Sequence, residues 1–185
     1  MSAWDLPVSV LIGDTEYSIR YQYMAVLDVL RAYNDPELDR DEQLEIMLRI
    51  MIPDFEKIHP ALYDEAIEKC LAFIDCNQKD DGKKKPKLVD WEQDAYMIMP
   101  EINKVAGREI RWDKDIHWWT FLGWYMGIGD GFFTTVLHIR KKLSAHKKLE
   151  KWEQEFYREN KNTVDLKKPE SEEERSVKDN ILSWL

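Results

Sequence analysis

The chain has 185 residues, of which 27 are Lys or Arg and 36 are Asp or Glu; its net charge is -9 with His neutral, and 44% of it is hydrophobic. A chain of this length buries about 70% of the surface that its unfolded form exposes, so it needs neither disulfide nor metal to hold a core. It has no run of ~18–20 uncharged apolar residues and no basic-then-apolar leader at Met1-Ser2-Ala3-Trp4-Asp5, so neither a membrane span nor a signal peptide is expected and a cytosolic location is.

From Pro7 to Arg20, two β-rich runs meet at Gly13-Asp14, a pair suited to a tight hairpin turn. An isolated hairpin is marginal in water, so this one must lie on helices or pair with something else. From Tyr23 the period becomes helical, with Met24, Leu27, Val29, Leu30 and Tyr33 on one stripe before the stop at Asn34-Asp35-Pro36. Asp39 followed three residues later by Glu42 forms a capping box, and the helix it starts runs through Leu44, Met47, Leu48, Met51 and Ile52 to Pro53. Pro60 then opens the cleanest amphipathic helix: Leu62, Tyr63, Ala66, Ile67, Cys70, Leu71 and Ile74 recur at steps of three and four. Cys70 and Cys76 share this stretch but fall on different faces, too far apart for a disulfide.

Residues 77–87 hold no apolar side chain and both helix breakers, which predicts a linker between two halves. The predicted division is 1–78 for an acidic half with the hairpin, 79–90 for the linker, 91–143 for an aromatic-rich helical half and 144–185 for a charged helical tail. These segments carry -10, +2, 0 and -1 respectively, so the acidity is concentrated at the front. In the second half Asp90 is the predicted cap and Gln93 its reciprocal partner for a helix bearing Trp91, Ala95, Tyr96, Ile98, Met99, Ile102 and Val105 and ending at Gly107, with Pro100 expected to kink or split it. Asp113-Lys114-Asp115 can start the next helix, Ile116 to Met126, which is apolar nearly all round and therefore expected at the centre of the core. After Gly127-Ile128-Gly129-Asp130-Gly131, Asp130 is the expected cap of a helix bearing Phe132, Phe133, Val136, Leu137, Ile139 and Leu143. Ser144 to Asn160 reads as a solvated helix with one narrow stripe, Leu149, Trp152 and Phe156, that needs a partner surface. Ser171-Glu172-Glu173-Glu174 announces a last helix with few apolar residues, among them Ile181, Trp184 and Leu185. The expected fold is mainly α, a bundle of about six to eight helices with an N-terminal β-hairpin.

No constellation able to join a nucleophile, a base and an electrophile is visible. The glycine-rich 127–131 segment follows an aromatic helix and is not followed by a Lys-Ser/Thr pair, so a plain turn explains it better than a phosphate loop. Of His59, His117, His138 and His146 only the last two can share a helix face, and at two turns apart they do not suit a shared metal. Asp113 and Asp115 come nearest to an acidic metal pair, yet helix capping accounts for them. No catalytic residue, cofactor or metal is expected. A pI near 5.0 disfavours nucleic acid as a partner, and the basic runs Lys83 to Lys87 and Arg140-Lys141-Lys142 with Lys147-Lys148 read as a solvated linker and a helix C-terminal bias. Trp4, Trp152 and Trp184 sit in polar contexts near the ends, where packing on the parent domain competes with a role as anchors for a partner. With Leu149, Phe156, Ile181 and Leu185 they form the candidate partner-binding set.

The hairpin with its Gly-Asp turn, the capped helix from Asp39 to Ile52, the Glu65-Ala66-Ile67 helix, the segment Asp90-Trp91-Glu92-Gln93-Asp94-Ala95, the block His117-Trp118-Trp119-Thr120-Phe121 and the run Ile139-Arg140-Lys141-Lys142-Leu143 together resemble the phage gene product fifteen family of tail-module proteins, found in siphophages and prophages of Gram-positive bacteria. The resemblance spans nearly the whole chain, with Pro100 a departure from the family's helix. Genes of that family lie between those for the major tail protein and the tape measure protein, where tail assembly chaperones are encoded. The resemblance therefore implies a non-enzymatic, oligomer-forming chaperone that binds the tape measure protein in the host cytoplasm; the alternative is a minor tail protein retained in the virion.

Overall fold

A computed structural model describes residues 5–78, 82 and 85–167. The chain is mainly helical, 56% of it, with eight helices and one two-stranded antiparallel hairpin among the described residues, in agreement with the expected class. These residues fall into two compact units, 5–74 and 75–167. No helix among them is long and apolar enough to cross a membrane.

In the first unit, β1 (Ser9–Ile12) and β2 (Thr15–Ser18) pair with Val10 opposite Tyr17 and Ile12 opposite Thr15. The two-residue turn requires positive φ, which Gly13 supplies at 55°. Its amide donates to Glu65 Oε2 at 3.1 Å, so the hairpin tip is tied to a helix, as an otherwise marginal two-stranded ribbon requires. Helices α1 (Tyr23–Tyr33), α2 (Arg40–Met51) and α3 (Tyr63–Ile74) supply the body of this unit, with α2 packing on both α1 and α3 and α3 on β1. The predicted capping box is present: Asp39 Oδ1 accepts from the amides of Asp41 and Glu42, both at 2.9 Å, and Glu42 Oε2 accepts from the Asp39 amide at 2.9 Å. Ile12, Val26, Val29, Met47, Met51, Ala66 and Cys70 are fully buried where these elements meet. Pro60 begins a 3₁₀ turn, Pro60–Leu62, that leads into α3, so the regular helix starts three residues later than its periodicity suggests. Cys76 lies beyond the end of α3 at φ 52°, and burial pushes the Cys70 thiol up to about 12 and that of Cys76 up to about 11, the latter raised further by Asp75. Both are protonated and unreactive at neutral pH.

The second unit contains α4 (Ala95–Ala106), α5 (Trp118–Met126), α6 (Phe132–Ser144), α7 (Lys151–Glu159) and α8 (Lys161–Val164). Pro100 does not split α4, although it removes the amide that would bond the carbonyl of Tyr96, a residue that is 61% exposed. Gly107 ends α4 at φ 70°. α5 differs from expectation at both ends. Its cap is His117, whose Nδ1 accepts from the Trp119 amide at 3.0 Å, and only Trp118 and Phe121 are buried while Met126 is 76% exposed. A nearly all-apolar helix is thus buried along a single face. The cap of α6 is not Asp130 either; Thr134 Oγ1 accepts from the Gly131 amide at 2.9 Å. Trp91 fills the space beside α5, with ring centroids 6.0 Å from Trp118, 6.0 Å from Phe121 and 5.0 Å from Tyr125. The chain turns at His146, φ 52°, so the single helix predicted from Ser144 onward begins only at Lys151.

Candidate functional site

The segment Asp90 to Ala95 opens with Asp90 Oδ1 accepting from the amides of Glu92 at 3.1 Å and Gln93 at 3.0 Å, which winds 91–94 into turns and sets α4 in motion only at Ala95. Lys87 at 2.8 Å and these amides hold the Asp90 carboxyl below its usual range against the opposing effect of burial. Asp94 is fully buried and meets Arg140 of α6, itself 5% exposed, in a forked pair: Nη1 to Oδ2 at 2.6 Å and Nη2 to Oδ1 at 2.9 Å. The remaining guanidinium protons go to three carbonyls, Val164 at 2.7 Å, Leu88 at 2.8 Å and Thr163 at 2.7 Å. All five donors of Arg140 therefore have acceptors, and one side chain ties together the approach to α4, the middle of α6 and the whole of α8. Gln93 extends this tie. Its Nε2 donates to the Asp165 carbonyl at 2.9 Å and its Oε1 accepts from the Lys167 amide at 2.9 Å, instead of closing a capping box with Asp90.

A helix C-terminal bias accounts for Lys141 and Lys142 but not for Arg140, which is buried and paired with Asp94. A second buried charge lies close by in the sequence. Glu153 of α7 is fully buried and accepts from Lys142 Nζ at 2.5 Å, from His138 Nε2 at 2.9 Å and from the Glu150 amide at 2.6 Å. The Lys142 contact first, with the backbone and His138 bonds behind it, holds its carboxyl below the ordinary value. Among the described residues, no group of three or more His, Cys, Asp or Glu side chains is placed to hold a metal ion. The buried charges of this unit are used in ion pairs and caps.

What the unit offers outward is apolar surface. Of the candidate partner-binding residues, Leu149 is half-buried just before α7, Phe156 is half-buried with its ring 5.4 Å from Phe132, and Trp152 is 51% exposed with its indole N–H on Glu150 Oε2 at 3.2 Å. The expected stripe is thereby divided, because the residue that α7 buries is Glu153. Trp4, Ile181, Trp184 and Leu185 lie outside the described residues. The 127–131 loop runs along α4: a Cβ on Gly127 would stand 3.2 Å from Val105 Cγ1, and one on Gly131 would stand 3.5 Å from Glu101 Oε1. This loop links exposed Val105 and Met126 to Phe132, and Phe132 leads through Phe156 to Trp152, one helical turn away. Val105 and Phe132 are not among the sequence candidates, because periodicity assigns them to a core; Met126 is one of six methionines, with Met24, Met47, Met51, Met97 and Met99, whose flexible side chains suit a partner surface but for which core filling is the readier reading.

Among the described residues Trp112 is the most exposed large apolar side chain, at 86%, and it too is absent from the sequence candidates. It stands in a loop cross-linked by charge. Asn103 donates to Glu109 Oε2 at 2.8 Å and accepts from the Ile110 amide at 3.0 Å; Arg111 donates to the Glu109 carboxylate at 2.8 and 2.7 Å; Arg108 donates to Asp113 at 2.7 Å. Arg111, through its side chain and amide, draws the Glu109 carboxyl down to about 2. Ile110, fully buried, anchors the loop beneath. The indole is thus held out by rigid backbone, so little conformational freedom remains to be lost when a partner covers it.

A family model described as bacteriophage Gp15 protein matches residues 4–166, nearly the whole chain. Neither a curated protein nor a solved structure matches it.

Proposed function

The chain belongs to the bacteriophage Gp15 protein family, which points to a role in phage structure or morphogenesis, and from that premise we propose that it is a tail assembly chaperone for the tape measure protein. The observation that carries this reading is the set of large apolar side chains, Trp112, Met126 and Trp152 foremost, that the second unit leaves exposed on well-anchored backbone. Burying ~200 Å² of an indole at ~25 cal/mol/Å² is worth about 5 kcal/mol before the costs of association, enough to attract a helical, aggregation-prone client without demanding one sequence. Met126 adds a flexible side chain that adapts to different partners. In this reading the protein acts in the host cytoplasm, coats its elongated client in several copies and yields to tail tube subunits as they assemble. It performs no covalent chemistry.

Co-expression tests the reading directly. The tape measure protein, insoluble alone, is expected to remain in solution and to co-purify with this chain, and a Trp112→Ser/Met126→Ser variant is expected to recover much less of it. A client that stays insoluble beside abundant soluble chain refutes the proposal. Quantitative mass spectrometry of finished virions separates the alternative: a stoichiometric amount there favours a minor tail protein.

A further inference from the structure

The hairpin of the first unit is joined by no third strand among the described residues, and its β1 edge is the one flanked by exposed apolar side chains. The Ile19 amide donates to the Val8 carbonyl at 3.0 Å, so with the observed register Val8, Val10 and Ile12 exchange their bonds with the second strand, and the amides and carbonyls of Ser9 and Leu11 point the other way. Among the described residues no third strand joins the sheet and no backbone group bonds these four atoms. Val8, 52% exposed, and Leu11, 58% exposed, stand on opposite faces of β1, and Leu6, 49% exposed, precedes it. Natural sheets normally blunt such an edge with lysines, a bulge or a covering element. Here residues 5–19 carry Asp5, Asp14 and Glu16 and no Lys or Arg, and residues 5–74 as a whole hold 15 acidic and 6 basic side chains.

We propose that β1 is a strand-addition site for an extended segment of another polypeptide in which apolar residues alternate with Lys or Arg. The backbone of the incoming strand takes the four outward groups of Ser9 and Leu11, its apolar side chains extend the face of the sheet that carries Val8 and Ile12, and its cations fall on the other face, where Leu11 stands opposite Glu16, and answer the acidic hairpin. A second copy of this chain, paired edge to edge, sets two such acidic hairpins against each other, and charge disfavours it. This site is separate from the apolar surface of the second unit and does not depend on the tape measure reading.

The probe is a fluorescent peptide, Lys-Thr-Val-Lys-Val-Thr-Val-Lys, titrated with the full chain and followed by anisotropy. Saturable binding is expected with a Kd of about 10–100 μM, weakened about fivefold or more between 50 and 500 mM salt. A peptide with Glu for Lys should not bind, and one N-methylated on alternate amides should lose about tenfold. Leu11→Pro deletes an outward amide without touching the hairpin ladder, and it should cost a similar factor with an unchanged far-UV spectrum. If that variant fails to fold, the N-methylated peptide on the unmodified protein still decides. The proposal is overturned by the absence of binding, by equal binding of the Glu peptide, or by indifference to N-methylation. It is also overturned if sedimentation shows a dimer of the chain that Leu11→Pro dissociates, since the edge then belongs to a second copy.

Discussion

Replacing Arg140 by Met is the sharpest test of how the second unit is held. The substitution keeps most of the side-chain volume and removes five hydrogen bonds together with the only cation bonded to the fully buried Asp94 carboxylate. Removing one partner of a buried pair costs about 3–5 kcal/mol, because the remaining charge stays in a medium that solvates it poorly. Of the three carbonyls, those of Leu88 and Thr163 lie at part-buried bonds and can rehydrate, whereas that of Val164 is buried, and an orphaned acceptor adds about 1–3 kcal/mol. The expected loss is about 5 kcal/mol, comparable with the entire stability of a small domain. Urea unfolding followed by tryptophan fluorescence reports it cleanly, since six of the eight tryptophans fall within 75–167. Adding Asp94→Asn removes the stranded charge and still leaves an oxygen for the Asp90 amide, so the double variant should regain about 2 kcal/mol. A loss below about 1 kcal/mol for Arg140→Met, or no recovery in the double variant, refutes the reasoning.

The Glu153 carboxyl is held below its ordinary 4.5, chiefly by Lys142, so its contribution is complete above that pH and disappears as the pH falls through the folded value; Lys142→Met should lower the melting temperature at pH 7 and flatten its fall below pH 4.5. Gly13→Ala places a side chain at φ 55° with its Cβ 3.3 Å from Leu62 Cδ1, and should cost about 1–2 kcal/mol in chemical unfolding followed by far-UV circular dichroism. Trp112→Ser alone, at a side chain 86% exposed, should change stability by less than about 0.5 kcal/mol while reducing recovery of the tape measure protein in co-purification.

The parts of this fold written locally are the parts the sequence reveals. One residue, Gly13, carries the left-handed turn of the hairpin, and Asp39 with Glu42 carries the start of α2; each of these signals is complete within four residues. Arg140 is the opposite case. Its acceptors lie 46 residues before it and 24 after it, and nothing in its own neighbourhood, a run of cations at the end of a helix, distinguishes it from Lys141, which is exposed. Glu153 is hidden in the same way among the charges of α7. Hydrophobic periodicity sorts apolar residues between inside and outside, but it cannot say which charge is drawn inside, because that depends on whether a partner arrives from a distant element. It also misassigned Met126, since a helix that is apolar all round contains no information about which face stays uncovered, and Phe132, which opens α6 beside the buried Phe133.

The two outward surfaces make different demands on a partner, and their strengths suggest how the protein could hold a client without trapping it. The β1 edge offers four backbone hydrogen bonds, each worth ~1 kcal/mol net, against an association cost of at least ~4 kcal/mol, so apolar contact beside Val8 and the attraction of cations to the acidic hairpin must supply the remaining affinity. The aromatic surface of the second unit gains more per residue but lacks directional bonds, so it gives affinity with little specificity. Neither surface reads an exact sequence: an edge strand reads backbone, and Trp112 with Met126 reads apolar bulk. Each alone is weak enough to dissociate quickly. In the proposed role a segment held at either surface leaves quickly, because its affinity is the sum of a few modest contacts, whereas a single tight pocket would hold it firmly and obstruct exchange.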